Sequence, residues 1–123
     1  MNSSQRISES IEERMLNFSV NVIQTCKSLP KTTENEIIKK QLIRSSSSIG
    51  ANYIEANNAA SKLDFRNKIF VAKKEAAETR YWLRMLSITN NSVNIDSLLG
   101  ECSQFLFILQ KIISSLKATK LKA

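Results

Sequence analysis

Residues 44–83 read RSSSSIGANYIEANNAASKLDFRNKIFVAKKEAAETRYWL. The stretch decides the fold because its helical phase breaks once, near Ser61, and is continuous on either side. After the break, Phe65, Ile69, Ala72, Ala76, Thr79, Leu83 and Leu86 recur at alternating steps of four and three, the spacing of one helix face. Before it, Ile38, Leu42, Ser45, Ile49, Asn52, Ala56 and Ala60 trace a second such face. Ser61-Lys62-Leu63-Asp64 fits a capping box that starts the later helix. The stretch therefore reads as a helical hairpin. The serine run at 45–48 lies inside the earlier helix, and Gly50 sits mid-helix at a cost of about 1 kcal/mol against alanine. Close approach of a neighbouring backbone or plain tolerance would each explain that glycine.

The flanking segments supply two more helices. Upstream, Ile7, Ile11, Met15, Phe18, Val22 and Cys26 share a face, and Pro30 ends that helix because the residue before proline is pushed out of the helical region. Thr33-Glu34-Asn35-Glu36 fits another capping box. Downstream of the turn-forming Asn90-Asn91-Ser92, Leu98, Cys102, Phe105, Leu109, Ile112 and Leu116 form the last seam. The expectation is one domain over residues 1–123, all-α, with helices at about 8–28, 33–60, 62–89 and 96–117. Four amphipathic helices on short turns make an up-down-up-down antiparallel four-helix bundle.

Composition agrees with this reading. The 123 residues hold only two glycines and one proline, too few for a turn-rich sheet protein, and suffice for one core. Cys26 and Cys102 share no motif spacing and fall on apolar faces, so buried free thiols are expected. The opening MNSSQRISESIEER has no apolar signal-peptide core. The longest apolar run, FLFIL at 105–109, is too short to span a bilayer. A cytoplasmic location with no membrane partner follows as the expectation. Histidine is absent, which excludes His-based triads, Glu-x-x-His di-iron sites and Arg-x4-His ribonucleases.

The chain carries 18 basic and 11 acidic residues, a net charge of +7. Residues 61–89 hold seven of the cations and three of the anions. Within them Lys62, Arg66, Lys73, Arg80 and Arg84 are spaced 4, 7, 7 and 4, so they fall within roughly 40° of one another on a line about 30 Å long. Such a line can follow a phosphate backbone, with affinity that falls steeply as salt rises. It can also be the solvated flank of an apolar seam. No base-reading element is evident, so binding would depend on charge and shape. Lys111, Lys117, Lys120 and Lys122 form a weaker auxiliary cluster. A second apolar line, Phe70, Ala77, Tyr81 and Ile88, lies roughly 150° from the core seam of the third helix. Leu99, Leu106 and Ile113 repeat the pattern on the fourth. Doubled stripes either fill a broad core or meet another subunit; self-association through Phe70, Tyr81, Ile88, Leu99, Leu106 and Ile113 is the expectation.

A polar layer borders the hairpin core: Arg44, Ser48, Asn52 and Glu55 on one helix, Glu75 and Glu78 on the other. A turn near residue 62 brings Arg44 level with Glu78 and Ser48 level with Glu75. An Arg44–Glu78 ion pair is expected, with Ser48 and Asn52 bonded to Glu75 or to backbone, because buried polar groups need partners. Glu75 and Glu78 share one side of a helix, as acid/base or metal pairs do. With no histidine and no second carboxylate cluster, the expectation is a structural layer, no catalytic residue, no metal and no cofactor.

The runs QLIRSSSSIGANYIEA and DFRNKIFVAKKEAAETRYWLRML, together with the LPK turn at 29–31, resemble the four-helix-bundle family encoded in intervening sequences of 23S ribosomal RNA genes. The combination of Arg44, Ser45, Ser48, Ile49, Asn52, Glu55 and Ala56 with Phe65, Ala72, Glu75, Glu78, Thr79 and Trp82 carries the resemblance. It implies a bundle assembled as a ring-like homopentamer. The accessory protein of diversity-generating retroelements is similar in fold; it is basic, binds nucleic acid and works with a reverse transcriptase. The ribosomal label sometimes attached to the family reflects gene location, and no ribosomal subunit is inferred. Two functions remain in view: a non-enzymatic, oligomeric basic bundle that contacts RNA or DNA through phosphate-directed cations, and a scaffold for a partner enzyme such as a reverse transcriptase.

Overall fold

The computed structural model describes the backbone of residues 2–91 and 93–122, with side chains through Lys117. It contains α1 (Ser3–Lys27), α2 (Thr33–Asn57), α3 (Lys62–Thr89) and α4 (Asp96–Lys122). Each helix packs on its neighbours in sequence, and α1 closes on α4. The direction of each seam between successive helices follows from its cross-helix contacts. Ser8 meets Tyr53 while Ser19 meets Ser46; Ser45 meets Thr79 while Asn35 meets Asn90; Lys73 meets Gln110 while Cys102 meets Ala76. Later residues on one helix meet earlier residues on the next, so the bundle is antiparallel throughout.

The core forms where the 3-and-4 spacing places it. Met15, Phe18, Val22, Leu42, Ile49, Ile69, Leu83, Leu86, Phe105 and Leu109 are buried. Phe18 and Phe105 meet edge to face across α1 and α4, ring centres 5.3 Å apart. The α2–α3 seam is the closest because Ser45, Ala56, Ala72, Ala76 and Thr79 are small and lie along it. Gly50 belongs to the α1–α2 seam, where a Cβ would stand 3.2 Å from that of Met15. Close approach therefore explains this glycine.

Helix ends differ from expectation for local reasons. α1 starts at Ser3, several residues early, because Asn2 and Gln5 form a complete reciprocal capping box. Thr32, not Thr33, caps α2, its hydroxyl accepting from the Asn35 N–H at 3.1 Å. α2 ends at Asn57, short of residue 60, and Ala60 is exposed. Ser61 caps α3 as expected, accepting from the Asp64 N–H at 3.0 Å. α4 continues to Lys122.

The α2–α3 ends are tied by an amide pair absent from the sequence reading. Asn35 and Asn90 each donate from Nδ2 to the other's Oδ1, at 3.1 and 3.0 Å, and Asn35 also donates to the carbonyl of Pro30 at 3.0 Å. Asn35 is only 3% exposed. Among the described residues, no buried side-chain nitrogen or oxygen lacks a partner, and no helix is long and apolar enough to cross a membrane.

Candidate nucleic-acid interface

α3 positions its cations because its buried face is set by Ile69, Ala72, Ala76, Thr79, Leu83 and Leu86. The line from Lys62 to Arg84 then lies about a quarter turn away, on the side facing α4. The five side chains have different surroundings. Lys62, Arg80 and Arg84 are exposed. Lys73 is half-buried, its Nζ donating to Gln110 Oε1 of α4 at 2.5 Å. Arg66 is half-buried, with its guanidinium 5.6 Å from the centre of the Phe70 ring. The Lys73–Gln110 contact fixes the antiparallel register, and one heptad further it brings exposed Lys117 level with Arg66. Lys117 thus extends the α3 stripe onto α4. Lys111 instead lies over the Phe107 ring at 5.9 Å, on the α1 side of α4. The side chains of Lys120 and Lys122 lie outside the described residues.

Glu75 and Glu78 of α3, and Glu55 of α2, are engaged away from the stripe. Arg44 donates from Nη1 to Glu75 Oε2 at 3.1 Å, from Nη2 to Glu78 Oε2, and from Nε to Gln41 at 3.1 Å. Trp82 Nε1 donates to the same Glu78 oxygen at 2.9 Å. Glu55 pairs with Lys68 at 3.6 Å. Ser48 and Asn52 turn to backbone carbonyls one helical turn back, at 2.7 and 2.8 Å. Below this layer the Ser45 and Thr79 hydroxyls lie 2.8 Å apart in the core, and Thr79 also reaches the Glu75 carbonyl at 2.7 Å. Both carboxylates that could have served as acid/base pairs are thus committed to Arg44 and Trp82, on the α2 side of α3. The basic stripe faces the α4 side, with no carboxylate along it. Among the described residues no group of three or more Cys, Asp or Glu is arranged to hold a metal ion.

The expected subunit surface is divided by the structure. Ile113 is 2% exposed and belongs to the core, which removes it from any interface. It replaces Ile112 in the seam, while Ile112 lines the groove between α1 and α4. Phe70, Leu99 and Leu106 are partly buried against the core. Only Tyr81, at 58%, and Ile88, at 75%, point outward. The more continuous apolar surface lies elsewhere, and the sequence reading missed it. α1 and α4 make the sparsest contact of the four seams, and a groove of about 730 Å3 opens between them, walled by Ile7, Ile11, Ile108, Ile112 and Leu116 with Phe107 at the rim. Ile7 is 61% and Phe107 64% exposed. Further along this seam Arg14 grips Glu101 with two bonds, Nε to Oε2 at 3.1 Å and Nη2 to Oε1 at 2.5 Å, which holds the guanidinium pKa above its ordinary value.

Fold and surface define a small basic antiparallel four-helix bundle with one cationic helix face and a separate apolar groove. The chain belongs to the family of 23S rRNA-intervening sequence proteins, whose profile matches residues 9–111. It is also similar to a crystal structure of a protein of unknown function from the S23 ribosomal protein family of Bacteroides thetaiotaomicron, with a TM-score of 0.77, 34% identity, and coverage of 87% of this chain and 97% of that one. Comparison with curated proteins returns no match.

Proposed function

We propose that the protein is a non-enzymatic, self-associating bundle that contacts RNA or DNA through phosphates along α3. The observation that carries this reading is the alignment of Lys62, Arg66, Lys73, Arg80 and Arg84 on a face without carboxylates, joined by Lys117. Glu75 and Glu78 of the same helix are paired with Arg44 on its opposite flank. Cations left in this way attract a polyanion and release its counterions. The family name, which ties it to intervening sequences of 23S rRNA, supports RNA as the first ligand to examine. A homopentamer, implied by the family resemblance, would repeat the stripe around a ring and raise avidity. The exposed Ile7 and Phe107 beside the α1–α4 groove favour that groove as the subunit contact, in place of the α3 surface.

The test reverses charge at two places. Lys73→Glu, Arg80→Glu and Arg84→Glu together should abolish low-salt binding to a short RNA. The same reversal at exposed Lys27, Lys31 and Lys40 should leave most of it. Equal losses in both variants would reduce the effect to net charge, and absence of wild-type binding would refute the proposal. For assembly, light-scattering mass should exceed the monomer and fall to it on Phe107→Glu; a monomeric wild type would contradict self-association.

The scaffold reading has its own support. The same apolar groove would suit a helix of a partner enzyme such as a reverse transcriptase. Monomeric protein that binds no nucleic acid at low salt would favour it.

A further inference from the structure

Tyr81 stands beside the cationic line and has no packing role that explains its exposure. It is 58% exposed, at the outer surface of α3 between Arg80 and Arg84. Side chains on a helix lean toward the N-terminus over the preceding turn. The residue there, Ala77, is exposed and small, so it leaves much of the Tyr81 ring uncovered. The ring is nonetheless held in place. It meets Trp82 edge to face, centres 5.1 Å apart and planes 73° apart. Trp82 is pinned in turn by its 2.9 Å bond to Glu78, which Arg44 also grips. Arg80, Arg84 and, one heptad before Tyr81, Lys74 are also exposed on α3.

Building on the phosphate-binding reading above, we infer that Tyr81 is a stacking platform for an unpaired base, and that the ligand of α3 is single-stranded or contains unpaired nucleotides. An aromatic ring beside phosphate-binding cations suits a splayed-out base, whose face is available only when it leaves the helical stack. A duplex offers phosphates to Arg80 and Arg84 but no base face to Tyr81. Stacking of this kind tolerates any base, which agrees with the lack of a base-reading element on α3. Phe70, the other aromatic on the apolar line that carries Tyr81, is partly buried and lies under the Arg66 guanidinium, so Tyr81 is the more exposed ring. The role also accounts for Trp82 and Glu78: they fix the ring that would otherwise lose rotamer freedom on binding.

The test compares a 12-nucleotide oligouridine RNA with a 12-base-pair RNA duplex at low salt, using wild type, Tyr81→Ala and Tyr81→Phe. Wild type should bind the single strand more tightly than the duplex. Tyr81→Ala should weaken single-strand binding about ten-fold and leave duplex binding unchanged. Tyr81→Phe, which keeps the ring, should match wild type. Trp82, the only tryptophan, gives a second readout. Its fluorescence should change on single-strand binding in wild type and Tyr81→Phe, and not in Tyr81→Ala. Unchanged thermal unfolding of Tyr81→Ala would confirm that the loss is local. Salt-sensitive wild-type binding with no effect of Tyr81→Ala would overturn the stacking role and leave the phosphate stripe standing. No binding of either RNA would overturn both.

Discussion

A Cβ added at Gly50 would stand 3.2 Å from the Met15 Cβ, whereas one added at Gly100 meets nothing within 4 Å. Both glycines are helical, so both carry the same entropic cost, yet substitutions should have opposite signs. Gly100→Ala should raise the urea midpoint, by about 0.5–1 kcal/mol of stability. Gly50→Leu should lower it by about 1–3 kcal/mol, because a larger side chain must separate α1 from α2. A gain at both sites would show that the α1–α2 seam is looser than described. Cys102 makes a prediction in pH. Burial pushes its thiol up to about 12, and the thiol donates to the Ala76 carbonyl at 3.2 Å. The folded pKa lies above the unfolded value of 9.0, so the folded state keeps a proton that the unfolded state releases. Stability from this group is full below pH 9 and is lost as pH climbs toward 12, at up to about 1.4 kcal/mol per pH unit. Denaturant titrations from pH 8 to 10.5 should show that decline, and Cys102→Ala should flatten it.

At the scale of elements, the α2–α3 hairpin is held by Arg44 as well as by its apolar seam. Arg44→Ala would leave Glu75 and Glu78, one helical turn apart, with no shared cation. The pair is partly solvated, so the loss should be about 1 kcal/mol. Adding Glu75→Gln should recover part of it by removing one of the two like charges; a further loss instead would mean that Glu75 is held by something other than Arg44. This hairpin was the most legible part of the chain. Regular 3-and-4 spacing with a serine cap at the break left one phase for α3, and the register then dictated that Arg44 meet Glu78. Legibility fell where more than one residue satisfied the same rule. Thr32 and Thr33 are adjacent hydroxyls, and only backbone geometry after Pro30 selects the first as cap. Ile112 and Ile113 are adjacent isoleucines, and only the packed bundle shows that Ile113 enters the core while Ile112 lines the groove. The Asn35–Asn90 pair joins residues 55 positions apart through two neutral side chains with no pattern of their own, so nothing in the sequence marks it.

For the whole molecule, the apolar groove and the cationic stripe lie on different seams. The groove lies between α1 and α4, Glu75 and Glu78 of α3 face α2, and the Lys62–Arg84 line borders α4. The doubled apolar lines on α3 and α4 did not foretell this arrangement. Amphipathicity shows how wide an apolar stripe is, but only packing angles show which part of it stays uncovered. The proposed groove contact between copies would leave the proposed phosphate stripe open. Their independence is itself testable: Phe107→Glu should change the light-scattering mass while weakening RNA binding only through lost avidity.

The most direct measurement is the salt dependence of RNA affinity for wild type and for the combined Lys73→Gln, Arg80→Gln and Arg84→Gln variant. Each phosphate contact contributes about 0.7 to the slope of log affinity against log salt for a single strand. If α3 binds the backbone, the variant's slope should be shallower by about two, three contacts' worth. An identical slope in the two proteins would contradict the assignment of phosphate contacts to this helix.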